Sequence, residues 1–190
     1  MFDFLKSHPD QASAIAALSG VFVSLLSILL TFTALLIQRR HNYKSVTPIA
    51  SLPIADYENR LAVKLRNNGV GPLIVSRVIV SNGRRTEDDI ISWMPQPPRG
   101  LFWTTFYDSL DGLALRPGSE AVIIELNGDR NNRTFAAFRD QVRSAISGLT
   151  ITVEYEDIYG RSMATKVRDL KWFGRHFEDD RSLTTSGSPN

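Results

Sequence analysis

The hydrophobic pattern divides the chain into stretches of different period. From Ala12 to Ile37 the residues are apolar or small, and none carries a charge. A helix needs ~20 apolar residues to cross the hydrocarbon of a bilayer, so residues 12–38 are expected to form a membrane-spanning helix. A cleaved signal peptide would have an apolar core of only ~7–15 residues and a small-residue cleavage site. This run is longer and ends in Gln38-Arg39-Arg40, which suits a stop-transfer flank. Residues 1–11 then form a short N-terminal flank, and residues 39–47 a basic juxtamembrane linker.

Beyond residue 48 the period falls to two. Pro48 and Pro53 argue against helix, and the segment from Pro48 to Ile54 suits an edge strand. Leu61, Val63 and Leu65 alternate with Ala62, Lys64 and Arg66, as in a strand with one apolar face. Leu73 to Val80 is rich in β-branched residues and stops at Ser81-Asn82-Gly83, a turn signal. The aromatic run Leu101 to Tyr107 also suits a strand. Further on, Leu113 to Leu126 reads as strand, Pro117-Gly118 turn, strand. Leu149, Ile151, Val153 and Tyr155 share one face of another strand, and Met163, Thr165 and Val167 are expected to face the core from the last. One segment breaks the rule: Phe135, Phe138, Val142 and Ile146 recur at helical spacing, with Asn131 or Asn132 to cap the start and Gly148 to end it. About eight short strands with one amphipathic helix predict a mainly β domain over 48–177, an antiparallel sandwich or small barrel. Residues 178–190 have little to bury and are expected to be disordered.

Within the apolar run, Ala12, Ala16, Gly20, Ser24, Ser27, Thr31 and Ala34 fall on one side of a helix, and Leu18, Phe22, Leu25, Leu29, Phe32 and Leu36 on the other. Small residues let two helix backbones approach closely. Ala16, Gly20, Ser24, Ser27 and Thr31 are therefore expected to carry self-association into a homo-oligomer. The excess of Lys and Arg lies after the run, at Arg39, Arg40 and Lys44. Such residues stay preferentially in the cytoplasm. The expected arrangement is a single pass through an inner (cytoplasmic) membrane, N-terminus out and β-domain in the cytoplasm.

Composition narrows the chemistry. Of 190 residues, 43% are hydrophobic and 22% charged, as in a folded protein, and the net charge of +2 is too small to predict binding to a nucleic acid polymer. The absence of cysteine excludes disulfides, thiolate metal sites and cysteine nucleophiles. His8, His41 and His176 are far apart in sequence, so no metal site is expected. In Leu65 to Val75, LRNNGVGPLIV, the glycines precede Pro72 and a β-branched run. A phosphate loop would lead into a helix, and proline offers no N–H. The simpler reading is a turn in which Asn67, Asn68, Gly69 and Gly71 tolerate positive φ. Glu154, Glu156 and Asp157 sit at the end of a strand, where Glu154 and Glu156 read as a solvated face, and no nucleophile–base cluster can be assembled, so neither enzyme activity nor a cofactor is expected.

Three further groups are candidate binding residues. Arg130, Arg133, Arg139 and Arg143 lie in or just before the predicted helix and form a candidate anion site, against the plainer reading of a solvated face. Trp93, Phe102 and Trp103 flank a proline-rich connection that would anchor a protein partner if exposed. Trp172, Phe173 and Phe177, mixed with Lys171, Arg175 and His176, suit a membrane surface or a core cover.

Taken together, LRNNGVGPLIVSRV, LRPGSE and VEYEDIYGR resemble bacterial proteins with one N-terminal membrane helix and an immunoglobulin-like β-domain. The resemblance implies that an N-x-G-x-G-P turn follows an early strand and a Y-x-D-x-x-G turn closes a late hairpin. It implies no activity. The overall plan is more loosely similar to membrane-anchored β-barrel effectors of cyclic-oligonucleotide antiphage systems, which bind a signalling nucleotide, oligomerise and damage the membrane. Those have two membrane helices where this chain has one. The expected function is a membrane-anchored protein-interaction or self-association module; the alternative is a ligand-gated membrane effector.

Overall fold

The computed structural model describes residues 9–177. The chain forms two compact units that meet in sequence between Ser45 and Val46. Unit one is helix α1, Pro9–Ser45, whose 37 residues span ~55 Å at 1.5 Å per residue. The segment Ser13–Tyr43 is long and apolar enough to cross a membrane, and none of its most apolar window is buried by protein. The helix does not stop at residue 38. It continues through Ser45, so residues 39–45 are helical. Nothing in Gln38 to Ser45 breaks a helix, and the first proline is Pro48. The expected tail, 178–190, and most of the N-terminal flank lie outside the described residues.

Unit two is a β-sandwich of two antiparallel sheets. The first contains β1 (Ala50–Ser51), β2 (Ile54–Tyr57), β3 (Arg60–Asn67), β6 (Thr105–Phe106) and β8 (Glu120–Asn127). Here β3 pairs with β8 on one side and with β1 and β2 on the other, and β6 forms the far edge. The second contains β4 (Leu73–Ser81), β5 (Thr86–Glu87), β7 (Ala114–Leu115), β9 (Thr150–Glu156) and β10 (Lys166–Asp169), with β9 between β4 and β10. One core lies between the sheets, filled by Leu61, Val63 and Leu65 from β3, Leu73, Val75, Val78 and Val80 from β4, and Ile151, Val153 and Tyr155 from β9. The spacing in β4 is not strictly alternate because the register shifts between Val75 and Arg77. An extra residue at such a bulge turns the following side chains back toward the core.

Helix α2 (Arg133–Ser147) carries the chain from β8 in the first sheet to β9 in the second. Asn132 caps it, accepting from the N–H groups of Thr134 and Phe135 at 2.9 and 3.2 Å. Its buried face consists of Phe135, Phe138, Arg139, Val142, Arg143 and Ile146. The four apolar residues join the core at the end of the sandwich where β3 begins and β4 stops.

Two expected strand patterns do not form. Between Leu101 and Tyr107 only Thr105 and Phe106 are strand. The Trp103 ring packs edge-on against Phe138 of α2, with centroids 5.6 Å apart, just before the segment joins β8 through Thr104 and Tyr107. In the last strand only Met163 reaches the core, while Thr165 and Val167 are exposed. The strand begins at Lys166, after the alternation has been interrupted, and Val167 lies opposite Thr152 rather than a core residue.

Candidate functional site

The glycine-rich connection after β3 is a fastening. Asn67 is fully buried and all its side-chain hydrogen-bonding capacity is used. Its Oδ1 accepts from the N–H groups of Gly69 (2.9 Å) and Ile49 (3.3 Å), and its Nδ2 donates to the carbonyls of Gly71 (2.7 Å) and Leu115 (3.1 Å). One residue thus joins the start of the domain, the connection itself and β7. The expectation that these residues use positive φ is corrected: among the described residues no non-glycine has positive φ, and Gly69 and Gly71 do not either. Glycine is required for space. A Cβ at Gly71 would strike the Val46 carbonyl, and one at Gly69 would strike the backbone of Thr47, Pro48 and Ile49.

Asp157 is similarly structural. It is buried in the turn after β9. Its Oδ1 accepts from the N–H groups of Tyr159 (2.9 Å) and Arg161 (3.0 Å), and its Oδ2 meets the Arg161 guanidinium at 2.9 Å. Burial disfavours its charge, but these N–H bonds and the Arg161 charge prevail and hold its pKa below the ordinary aspartate range. Gly160, at φ 71°, closes the turn.

The four arginines separate into two pairs. Arg130 and Arg133 are exposed, while Arg139 and Arg143 are buried. The latter pair is neither a free anion site nor a solvated face, because carboxylates occupy both guanidinium groups. Arg143 Nε donates to Asp56 Oδ1 at 2.9 Å and its NH1 to Asp140 Oδ1 at 2.9 Å. Arg139 donates to the carboxylate and carbonyl of Glu58. Asp56 also accepts from Arg175, and His176 Nε2 stands 3.4 Å from it. The side chains of Asp56 and Arg143 are only 1% and 3% exposed, so this is a buried ion pair. Burial opposes the Arg143 charge most strongly, yet hydrogen bonding and charge from Asp56, then Asp140 and Glu58, raise its pKa above the ordinary arginine value. Asp56 carries no signal in the sequence, because its partner lies 87 positions away.

The network also accounts for the segment from Leu170 to Phe177. Phe173 is buried, Arg175 stacks over the exposed Trp172 ring at 4.4 Å while pairing with Asp56, and the turn Lys171–Gly174 packs against α2. These contacts favour the cover reading over a membrane surface.

In the proline-rich connection the structure parts the three named aromatics. Trp93 and Trp103 are half-buried against the core, whereas Phe102 is 78% exposed. Trp93, Met94 and Pro95 face Gln141, Ser144 and Ala145 of α2 across an open groove of about 470 Å³. The Arg85 guanidinium sits over the Trp93 ring at 5.1 Å, and the indole N–H is buried without a partner.

On α1, Gly20 has open space around it, and the hydroxyls of Ser24, Ser27 and Thr31 each donate to the carbonyl four residues earlier at 2.8 Å. Their donors are satisfied within the helix, so any partner helix would be held through close backbone approach. Among the described residues no three metal-ligating side chains converge.

Fold and site together define a helix of membrane-spanning length followed by a two-sheet β-sandwich. No protein-family model and no curated protein matches the chain.

Proposed function

We propose that the protein is a non-enzymatic, single-pass membrane protein whose β-sandwich docks a protein partner or a second copy of itself at the cytoplasmic face of the inner membrane. The groove between residues 92–95 and α2, with Trp93 in its wall, carries this reading. Aromatic residues beside a groove are the usual anchors of a protein interface. The state of the arginines favours docking over ligand gating. An anionic ligand would need free guanidinium groups at a concave mouth, whereas Arg139 and Arg143 are held by Asp56, Glu58 and Asp140, and α2 fills that end of the sandwich.

A photo-crosslinking residue in place of Ser92, in the groove wall, tests the reading in cells expressing the full chain, with the same residue in place of Val167, exposed on β10, as a control. A discrete adduct from position 92 alone is expected, and its mass gives a second copy or another protein. No adduct at either position sinks the docking reading. In parallel, a membrane-potential dye distinguishes the effector: depolarisation that disappears in Gly20→Leu would favour membrane disruption instead.

A further inference from the structure

The two ends of the sandwich differ in chemistry. Where β3 begins and β4 stops, the turn tips Glu58-Asn59 and Asn82-Gly83-Arg84 and residues 129–131 of the β8–α2 connection are polar and exposed, while the apolar groups exposed there, Tyr57 (62%) and Trp172 (58%), lie off the tips, on β2 and in the turn after β10. Where β3 stops and β4 begins, three connections carry apolar tips. Ile49 is 55% exposed, Val70 66%, Ile158 45% and Tyr159 56%. These connections share one end because Ala50 pairs with Asn67, and Ile74, at the start of β4, pairs with Glu156. Ile49 and Val70 stand out of segments whose neighbours turn inward: Pro48, Ala50, Gly69 and Gly71 are all buried. A single exposed apolar residue needs no explanation. Apolar tips on three connections that share one end call for one.

This is also the end at which the chain enters the domain. Thr47 O accepts from Val70 N at 3.2 Å, and Gly71 lies against the Val46 carbonyl. Val46, the first residue of the domain, follows Ser45, the last of α1, directly in the chain. From the last residue of the charge-free run to Ser45 the helix rises about 12 Å, against ~5–8 Å for the headgroup zone on one side of a bilayer, and the tilt of an apolar run longer than the hydrocarbon lowers that height. The entry end is therefore delivered close to lipid, provided that α1 is a membrane anchor as proposed above.

We propose that this end of the β-domain is a lipid-contacting surface, with Ile49, Val70, Ile158 and Tyr159 seated at the boundary between phospholipid headgroups and acyl chains. Apolar side chains gain by burial at that boundary, and tyrosine is enriched there. Arg116, exposed in the turn between β7 and β8 at the same end, offers a cation to lipid phosphate. The proposal gives the sandwich a defined footing on the bilayer, with the α2 groove at the end away from it.

The cysteine-free chain permits a direct test. Full-length Val70→Cys, Ile158→Cys, Asn82→Cys and Leu25→Cys are each labelled with a polarity-sensitive fluorophore. They are placed one chain per nanodisc in phosphatidylcholine and phosphatidylglycerol, with and without brominated acyl chains. The label at Leu25 reports whether α1 is inserted. With that label quenched, emission from positions 70 and 158 is expected to shift to the blue and to be quenched by brominated lipid, while position 82 remains water-like. Quenching at 70 and 158 no greater than at 82 overturns the proposal. Shielding that arises only with two chains per disc assigns the surface to a second copy and also overturns it. An unquenched Leu25 label removes the anchor, and this inference with it. Should either variant melt at a lower temperature than the parent chain, Ile49→Cys and Tyr159→Cys give the same reading from the same end.

Discussion

Asn67 shows what one side chain can hold. Its four hydrogen bonds, three of them buried and the one from Ile49 part-buried, tie the chain just before β1, the connection to β4 and β7 into one end of the sandwich. Asn67→Ala would leave several backbone groups buried without partners, each at a cost of ~1–3 kcal/mol. A loss of about 2–4 kcal/mol in urea unfolding, followed by tryptophan fluorescence in detergent, is expected. Gly71→Ala should be comparably damaging because its Cβ would strike the Val46 carbonyl, whereas Gly20→Ala, with open space, should leave stability unchanged. Asp157 gives a pH signature. Its folded pKa is depressed, so its contribution is present above the unfolded value of about 3.9 and fades as pH falls through the folded value. The Asp157→Asn variant should show a shallower fall of the urea midpoint between about pH 5 and pH 3. An unchanged slope would mean that other carboxylates account for acid sensitivity. The sequence marked both positions as turn residues. It assigned the glycines to the wrong cause, because positive φ is a local property and the chain passing over Gly71 is not.

At the scale of elements, α2 is held by two different forces. Its apolar stripe of Phe135, Phe138, Val142 and Ile146 was legible from spacing, as was its Asn132 cap. Its ionic side was not, because Asp56 lies on β2 and Arg175 beyond β10. Removing one partner of a buried pair leaves the other charge uncompensated, at ~3–5 kcal/mol, while replacing both with apolar residues is far less costly. Asp56→Ala alone is therefore expected to destabilise by about that amount. The double variant Asp56→Leu with Arg143→Met should recover most of the loss in the same urea assay. Equal loss in single and double variants would show that Arg175 or Arg139 carries the network instead. On α1 the stripe through Gly20 is open and its hydroxyls are internally satisfied, so Gly20→Leu is expected to weaken helix–helix crosslinking by blocking backbone approach. An unchanged crosslinking pattern would count against the stripe.

The whole chain joins an apolar helix to a β-sandwich between Ser45 and Val46. If Arg39, Arg40 and Lys44 set its orientation, protease added outside sealed, right-side-out vesicles should spare the β-domain, and permeabilisation should expose it. Digestion from the outside alone would reverse the assignment. The sequence by itself determined the membrane-length helix, the mainly β class, the positions of the turns and the amphipathic helix. Each of these follows from local periodicity, from proline and glycine chemistry, and from the length of a run set against a bilayer. Only the tertiary structure decided which arginines are free, which of Trp93, Phe102 and Trp103 faces solvent, and which carboxylates are buried. It also decided that the apolar tips of three separate connections gather where the chain enters the domain. Those outcomes depend on pairings between residues tens of positions apart, such as Asp56 with Arg143 and Ile74 with Glu156, and no local pattern encodes a distance across the fold.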